Sequence, residues 1–395
     1  MLIPADAVAQ RRYVRAVRQT HSTPSLGIGP TILRGLRNLG YRDSAAALCA
    51  LIDNAIDAQA SQVDILFESE DGAVTAIAVI DDGFGMVPEM MRAACAVGAS
   101  CPLGDGPHLA RSGFGLPSAP FAIGHRFELI SSPSGAVPAR VLFDLDDLAS
   151  DDVLIPQAVR AEFPPFVHDH LRRAGRAWSG GTIVVLGELD RLAPRITNGL
   201  AQLLRARLGH VFGRFLDRVT LTVDGIRVPP IDPLFLFADA PDVAPGAASA
   251  VDAGTLHIRL GEDKVTIRTA LLPPGFIGAE RRRAAGVHMD RATIVRDNHG
   301  FVISRLGRRL TLLPSSPWFH FSNADRAIRV EIDFPPSLDE LFAPSLSLQQ
   351  VQMSDTAWSA LRAGGLAAHL DALRRRVAAQ RHSQREQLDD VLPTA

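Results

Sequence analysis

Four short segments carry the groups that could do chemistry. In Ala50-Leu51-Ile52-Asp53-Asn54-Ala55-Ile56-Asp57-Ala58, an apolar helical stripe is supplied by Leu48, Leu51, Ile52, Ala55 and Ile56, while Ala50, Asn54 and Asp57 fall at i, i+4 and i+7 on another face. Asparagine is intrinsically unfavourable inside a helix, because its amide competes for backbone hydrogen bonds. Its carbonyl oxygen is also a hard ligand suited to Mg²⁺, so Asn54 reads as either a satisfied surface amide or a metal ligand. The second segment, Asp81-Asp82-Gly83-Phe84-Gly85-Met86, follows an apolar strand-like run. A carboxylate ending a strand can accept a hydrogen bond from an exocyclic amine such as adenine N6. Gly83 and Gly85 let backbone approach a flat ring, and Met86 can pack on it. The plainer reading is a tight turn with an Asp.

The third segment, Ser112-Gly113-Phe114-Gly115-Leu116-Pro117-Ser118-Ala119, runs glycine-rich backbone into a helix. Free N–H groups there suit phosphate, and Pro117 fits a first helical turn; the alternative is a flexible surface loop. The fourth, Gly180-Gly181-Thr182, opens a strand, where the Thr182 hydroxyl could hold a water against Asp81.

These segments need elements to position them. The pattern predicts a helical arm and strap over 1–45 and a helix over 45–60. Strands are expected over 63–67 and 73–80, a helix over 90–97, a loop over 101–115 and a helix over 117–123. Strands follow over 126–130, 139–145 and 181–186, then an amphipathic helix over 195–212. The mixed order argues for an α+β fold, a mixed sheet with helices on one face. Pro229, Pro230 and Pro233 mark a boundary. Beyond it, strands over 255–260, 264–270, 300–304 and 327–334 make a second α/β unit, followed by a charged amphipathic helix over 360–392. The expected domains are therefore 1–45, 46–228, 229–358 and 359–395.

Length and composition bound the rest. A chain of 395 residues is too long for one core, and 47% hydrophobic with 21% charged residues is the make-up of an ordinary globular protein. No apolar run approaches the roughly 20 residues needed to cross a bilayer. Met1 to Thr20 is broken by Arg11, Arg12, Arg15 and Arg18 and lacks the apolar core of a secretory signal, so the cytoplasm is the expected compartment. Cys49, Cys95 and Cys101 have no metal-ligand spacing. A net charge of −2 gives no global basic field. The runs Arg281–Arg283 and Arg374–Arg376 read first as solvated faces and second as nucleic-acid contacts. Lys264 is the single lysine.

Taken in order, D-N-A-I-D-A, D-D-G-F-G-M, G-F-G-L-P-S-A and G-G-T resemble the successive boxes of the GHKL superfamily, the Bergerat-fold ATPases of gyrase, MutL, MORC and the large heat-shock chaperones. "LIDNAIDA", "GLPSA" and "GTIVVLGELDRL" are most similar to the MORC-type and bacterial MORC-like branch. A looser likeness continues through "DGIRVPPIDPLF", "GFVISRLGRRL" and "VEIDFPPSLDELF". The resemblance implies a Bergerat-type sandwich followed by a transducer-like domain, with ATP and Mg²⁺ as ligands and a homodimer formed on ATP. Asn54 is then the Mg²⁺ ligand and Asp81 the adenine-reading carboxylate. Gly83, Gly85 and Met86 line the base, with Asp57 and Ala58 near its end of the pocket. Ser112, Gly113, Phe114, Gly115 and Leu116 form the lid and phosphate cradle, and Thr182 closes the set.

Two positions depart from that pattern. The superfamily has a general-base glutamate four residues before the magnesium asparagine, where this chain has Ala50. It also sends a transducer lysine to the γ-phosphate, and Leu348 stands at the matching place. The resemblance thus implies an ATP-gated switch or clamp with impaired hydrolysis, acting on a protein partner, with a DNA-associated or bacterial defence setting suggested by analogy. The competing reading is an active ATPase, motor or chaperone-like, using an arginine or a displaced acid for catalysis, with Arg305, Arg308 or Arg309 as candidates to reach the phosphate in place of the lysine. A histidine kinase is disfavoured, because His21 does not lie on a dimerising helix and a second α/β unit follows.

Overall fold

The computed structural model describes residues 6–20, 35, 37–38, 40–96, 107–110, 113–147, 155–175, 178–237, 250–273 and 291–391. Two units result, one from Met1–Leu208 with Phe215–Val228, the other from Gly209–Arg214 with Pro229–Ala395. In the first unit eight strands form one mixed sheet: β1 (Gln62–Glu70), β2 (Ala73–Asp81), β3 (Arg126–Ser132), β4 (Ala139–Asp144), β5 (Val159–Arg160), β6 (Gly181–Gly187), β7 (Thr220–Val223) and β8 (Ile226–Arg227). Their order is β5-β4-β3-β6-β2-β1-β7-β8, with β1 and β7 parallel and the other pairs antiparallel. Asp71 and Gly72, both at positive φ (48° and 78°), make the two-residue turn that joins β1 to β2.

Strand alternation divides the side chains between two faces. Leu66, Ala78, Ile80, Ile130, Ile183 and Val185 share one face, and there Val167 and Leu171 of a helix at Pro165–Arg173 cover them. The sequence pattern does not bring out this helix. Asp81, Ser131 and Thr182 lie opposite one another across β2, β6 and β3 and point to the other face.

The helices of the first unit are α1 (Ala7–Thr20), α2 (Ser44–Asp57), α3 (Pro88–Ala94), α4 (Gly115–Phe121) and α5 (Pro165–Arg173), and α6 (Thr197–Phe212) ends within the segment counted with the second unit. Asp43 caps α2, accepting from Ala46 N at 2.8 Å. The helix stops at Asp57, three residues before the end expected from its pattern. Gln59 turns left-handed (φ 59°), and Ala60 N and Gln59 N donate to Ala55 O and Ile56 O, closing a Schellman cap. α1 packs against α3, so the described part of the arm lies on its own unit.

The second unit holds a five-stranded sheet of β9 (Val251–Leu260), β10 (Asp263–Leu271), β11 (Phe301–Arg305), β12 (Arg308–Leu313) and β15 (Ile328–Phe334), in the order β12-β11-β15-β10-β9. The small pair β13 (Ser315–Ser316) and β14 (Phe319–His320) stands apart from it. The chain also forms α7 (Arg291–Asp297), α8 (Asp339–Phe342), α9 (Asp355–Ala363) and α10 (Leu366–Val391). The single helix expected over 360–392 is two helices. Gly365 at φ 101° breaks the run, and a Cβ on Gly364 would stand 2.4 Å from Ile258. α10 then buries Leu366, Leu370, Leu373 and Val377 in the core that also holds Ile258, Phe301 and Trp358.

Candidate functional site

Three of the four segments meet around one carboxylate, and the glycine-rich third lies against the α2 face. Asp81 ends β2, is buried, and stands opposite Thr182 in the β2–β6 register. Its Oδ1 accepts from Gly83 N at 2.9 Å and from Thr182 N at 3.2 Å. Burial pushes its pKa up to about 7, against the lowering effect of those two amides. A desolvated carboxylate held by backbone amides keeps acceptor capacity for a further donor.

Glycines wall this group because other backbone lies too close for any side chain. A Cβ on Gly83 would sit 2.8 Å from both the Cβ and the carbonyl oxygen of Ala58, and Phe84 N donates to that same oxygen at 3.0 Å. Gly85 has φ +65°, and its Cβ would lie 1.8 Å from Ser132 O. Ala58 therefore backs the Gly83 turn, and Met86, 2% exposed, continues it into the interior.

Ser131 does not stand out in the sequence, yet it organises the next layer. Its Oγ accepts from Met86 N at 2.9 Å, donates to Gly181 O at 2.7 Å and lies 3.0 Å from Thr182 Oγ1. The Thr182 hydroxyl, expected to hold a water against Asp81, lies beside Ser131 Oγ. Strand geometry sends the Thr182 amide to Asp81 and the hydroxyl to Ser131. The available signal was two buried serines closing the strand Arg126–Ser132 after Leu129 and Ile130.

The α2 face forms the other end. Ala50 and Asn54 are half-buried, and a Cβ on Gly115 would stand 3.6 Å from Ala50 Cβ and 3.9 Å from Asn54 Nδ2. The first turn of α4 therefore borders the i, i+4 pair. Gly113 (φ +63°) leads into that turn; Phe114 and Leu116 are half-buried beside it. Ser112 lies outside the described residues, as does most of the expected 101–115 loop. Asp57 holds backbone of the chain ahead of the glycine box. Its two oxygens accept from Leu109 N at 2.9 Å and Ala110 N at 2.7 Å, tying the chain before the glycine box to the end of α2. Tyr41 reaches the far side of α4, its hydroxyl 3.2 Å from Ser118 Oγ.

No group of three or more His, Cys, Asp or Glu that could hold a metal exists among the described residues. A cation here would find one protein amide oxygen, at Asn54, and draw its remaining ligands from phosphate and water. That donor set fits Mg²⁺, which keeps waters and is bound together with substrate phosphates.

The Asp81 shift has a stability signature. Its folded pKa of about 7 exceeds the ordinary 3.8, so between those values the folded state holds a proton that the unfolded chain has lost. Stability from this group is present in acid, declines as pH rises through that window and levels off above it. Asp81→Asn removes the decline while keeping an acceptor for Gly83 N and Thr182 N. The variant's unfolding midpoint should gain on the parent between pH 5 and pH 8, by on the order of 2–4 kcal/mol at most. A difference that stays constant with pH would remove the buried-carboxylate account.

Comparison with known proteins adds one match. Residues 41–168 match the family described as "Histidine kinase-, DNA gyrase B-, and HSP90-like ATPase", a span that takes in α2, the Asp81 turn and the Gly113–Gly115 segment. No curated protein matches the chain. The match supports the GHKL superfamily for this domain, and with it ATP binding.

Proposed function

We propose that this chain is an ATP·Mg²⁺-binding switch that closes on nucleotide and hydrolyses it poorly. The observation that carries the reading is the Asp81 carboxylate, buried yet held by the amides of Gly83 and Thr182, beside glycines that let neighbouring backbone close on it. Such a group is built to accept from an exocyclic amine on a flat ring. Asn54 and the Gly113–Gly115 turn supply the phosphate end, with Mg²⁺ shared between the Asn54 carbonyl and the nucleotide.

Poor turnover follows from two side chains. A general base must take a proton from the attacking water, and Ala50 offers a methyl group on the face that Gly115 borders. Leu348 stands where a transducer lysine is expected; it is 5% exposed and forms part of the second unit's core. The arginines that could replace that lysine are engaged within the second unit. Arg305 pairs with Asp339 at 2.7 Å, Arg308 donates to Leu348 O at 2.7 Å, and Arg309 donates to Ile231 O at 2.5 Å and meets Asp232 at 3.3 Å. The wording of the boxes favours the MORC-like branch, in which binding drives pairing of two N-terminal domains.

Calorimetry is the direct test of binding. The parent should bind Mg·ATP, and both Asp81→Asn and Asn54→Ala should weaken it about 10–100-fold, the cost of roughly 1–3 kcal/mol for a mismatched or missing polar partner. Because the ligand amine favours ionised Asp81, parent affinity should rise with pH through about 7, relative to Asp81→Asn measured in the same buffers. Equal affinity in all three proteins removes the site assignment.

Turnover is tested separately. Phosphate release by the parent should lie near background, and Ala50→Glu should raise it by about 10²-fold or more. If Ala50→Glu is silent, Ala50→Glu with Leu348→Lys decides whether the lysine position is also limiting. Robust release by the parent would favour the active-ATPase reading.

Pairing is read by light scattering without nucleotide, with ADP and with ATP. A rise from monomer to dimer with ATP alone is expected. One mass under all three conditions would defeat the clamp.

A further inference from the structure

A side chain from outside the four segments also grips the Gly85–Val87 turn. α1 begins at Asp6, whose carboxylate accepts from Ala9 N at 2.7 Å. It exposes Val8, Arg11, Arg12 and Arg15 and buries Gln10 and Val14. Gln10 is wholly buried, at 0% exposure. An uncharged amide in such a place costs stability unless both its ends are matched. Both are. Nε2 donates to Gly85 O at 2.9 Å, and Oε1 accepts from Val87 N at 2.7 Å. The orientation is unambiguous, since a carbonyl only accepts and an amide N–H only donates.

The intervening Met86 N is taken by Ser131 Oγ at 2.9 Å. Three successive backbone groups of the turn are therefore fixed by two side chains, one from β3 and one from α1. The Gln10 amide presents donor and acceptor side by side, as a neighbouring strand would, to a stretch of chain that belongs to no strand. Gly85 has no slack of its own, because its φ of +65° and the 1.8 Å approach of Ser132 O leave one way through.

We infer that Gln10 is a positioning residue for base recognition, through which α1 holds the Gly85–Val87 backbone in the form that receives an adenine ring. The inference rests on the nucleotide reading of this site. Without Gln10 the turn keeps its glycines but loses two of its three fixed points. The base end then loosens, while Asn54 and Gly113–Gly115 at the phosphate end remain as they are. α1 thereby becomes a regulatory element: whatever pulls it from the surface also loosens the grip on adenine.

The test uses the full chain with Gln10→Leu, which removes both hydrogen bonds at similar volume, and Gln10→Glu, which keeps the acceptor for Val87 N and loses the donor to Gly85 O. ATP and GTP are titrated with Mg²⁺ into the parent, both variants and Asp81→Asn. Gln10→Leu should lower ATP affinity about tenfold and GTP affinity far less, with Gln10→Glu between it and the parent. Hydrogen exchange provides a reading independent of nucleotide: the peptide containing Val87 should exchange faster in Gln10→Leu, with the β2 peptide unchanged. Equal losses for ATP and GTP, or unchanged exchange at Val87, would reduce Gln10 to a packing role and overturn the inference. Failure of the parent to bind ATP, or indifference to Asp81→Asn, would instead overturn the nucleotide reading and this inference with it.

Discussion

A carboxylate buried at the end of a central strand is the constraint around which the first unit is arranged. Asp81 lies where its charge costs most, and the protein offsets that cost with the amides of Gly83 and Thr182. For the Thr182 amide to arrive, β6 must pair with β2 in one register, and a slip of a single residue would turn the amide away. For the Gly83 amide to arrive, the chain must turn back at once over Ala58, where no side chain fits. Gly181 meets the same limit, since a Cβ there would lie 2.1 Å from Asp81 O. Sheet register, the end of α2 and the glycines on either side are thus all conditions on satisfying one group.

What the sequence disclosed and what it withheld divide along the range of the interaction. The α2 face, the strand ending in Asp81 and the glycine turns are local patterns, readable because helix and strand periods and glycine's special role are local properties. Gln10 and Ser131 are not. Each acts on backbone far along the chain, and nothing near Gln10 in A-V-A-Q-R-R-Y-V distinguishes it from a solvated polar residue. The Arg305–Arg308 hairpin escaped for a different reason. Its turn is Leu306-Gly307, with φ 53° and 81°; the glycine is a turn signal, but a leucine in the first position is unfavourable and weakens it. The break between α9 and α10 was present as Gly364-Gly365, but the surrounding helical periodicity outweighed it.

Asp57 and Thr182 show a subtler gap. Both residue types suit the chemistry first suggested for them, and both also hold backbone within the chain. Asp57 receives the amides of Leu109 and Ala110, and Thr182 gives Asp81 its backbone rather than its hydroxyl. Composition at a position limits which groups are available; only the path of the chain decides which of them is turned inward. The consequence for Asp57 is that the segment before the glycine box is fastened to α2, so any rearrangement of that segment must break two charge-assisted hydrogen bonds.

The same division explains how binding and hydrolysis separate in the proposed switch. The base end is built largely from backbone: two amides on Asp81, a carbonyl from Ala58, and glycines where side chains cannot fit. Such a site changes only if the chain path changes, which makes it resistant to substitution. Hydrolysis, on the proposed reading, would need a base at position 50 and a cation at position 348, and the fold holds Ala50 and Leu348 there instead. Ala50 follows the buried stretch Ser44–Cys49 on α2 and is itself half-buried. Leu348 gains a place in the second unit's core, and its carbonyl is gripped by Arg308. Neither position now carries a group whose removal from water must be compensated. On the proposed reading, a protein that only opens and closes on nucleotide has no need of a general base at position 50 or a lysine at position 348. In that reading the desolvated carboxylate is the group that receives the base.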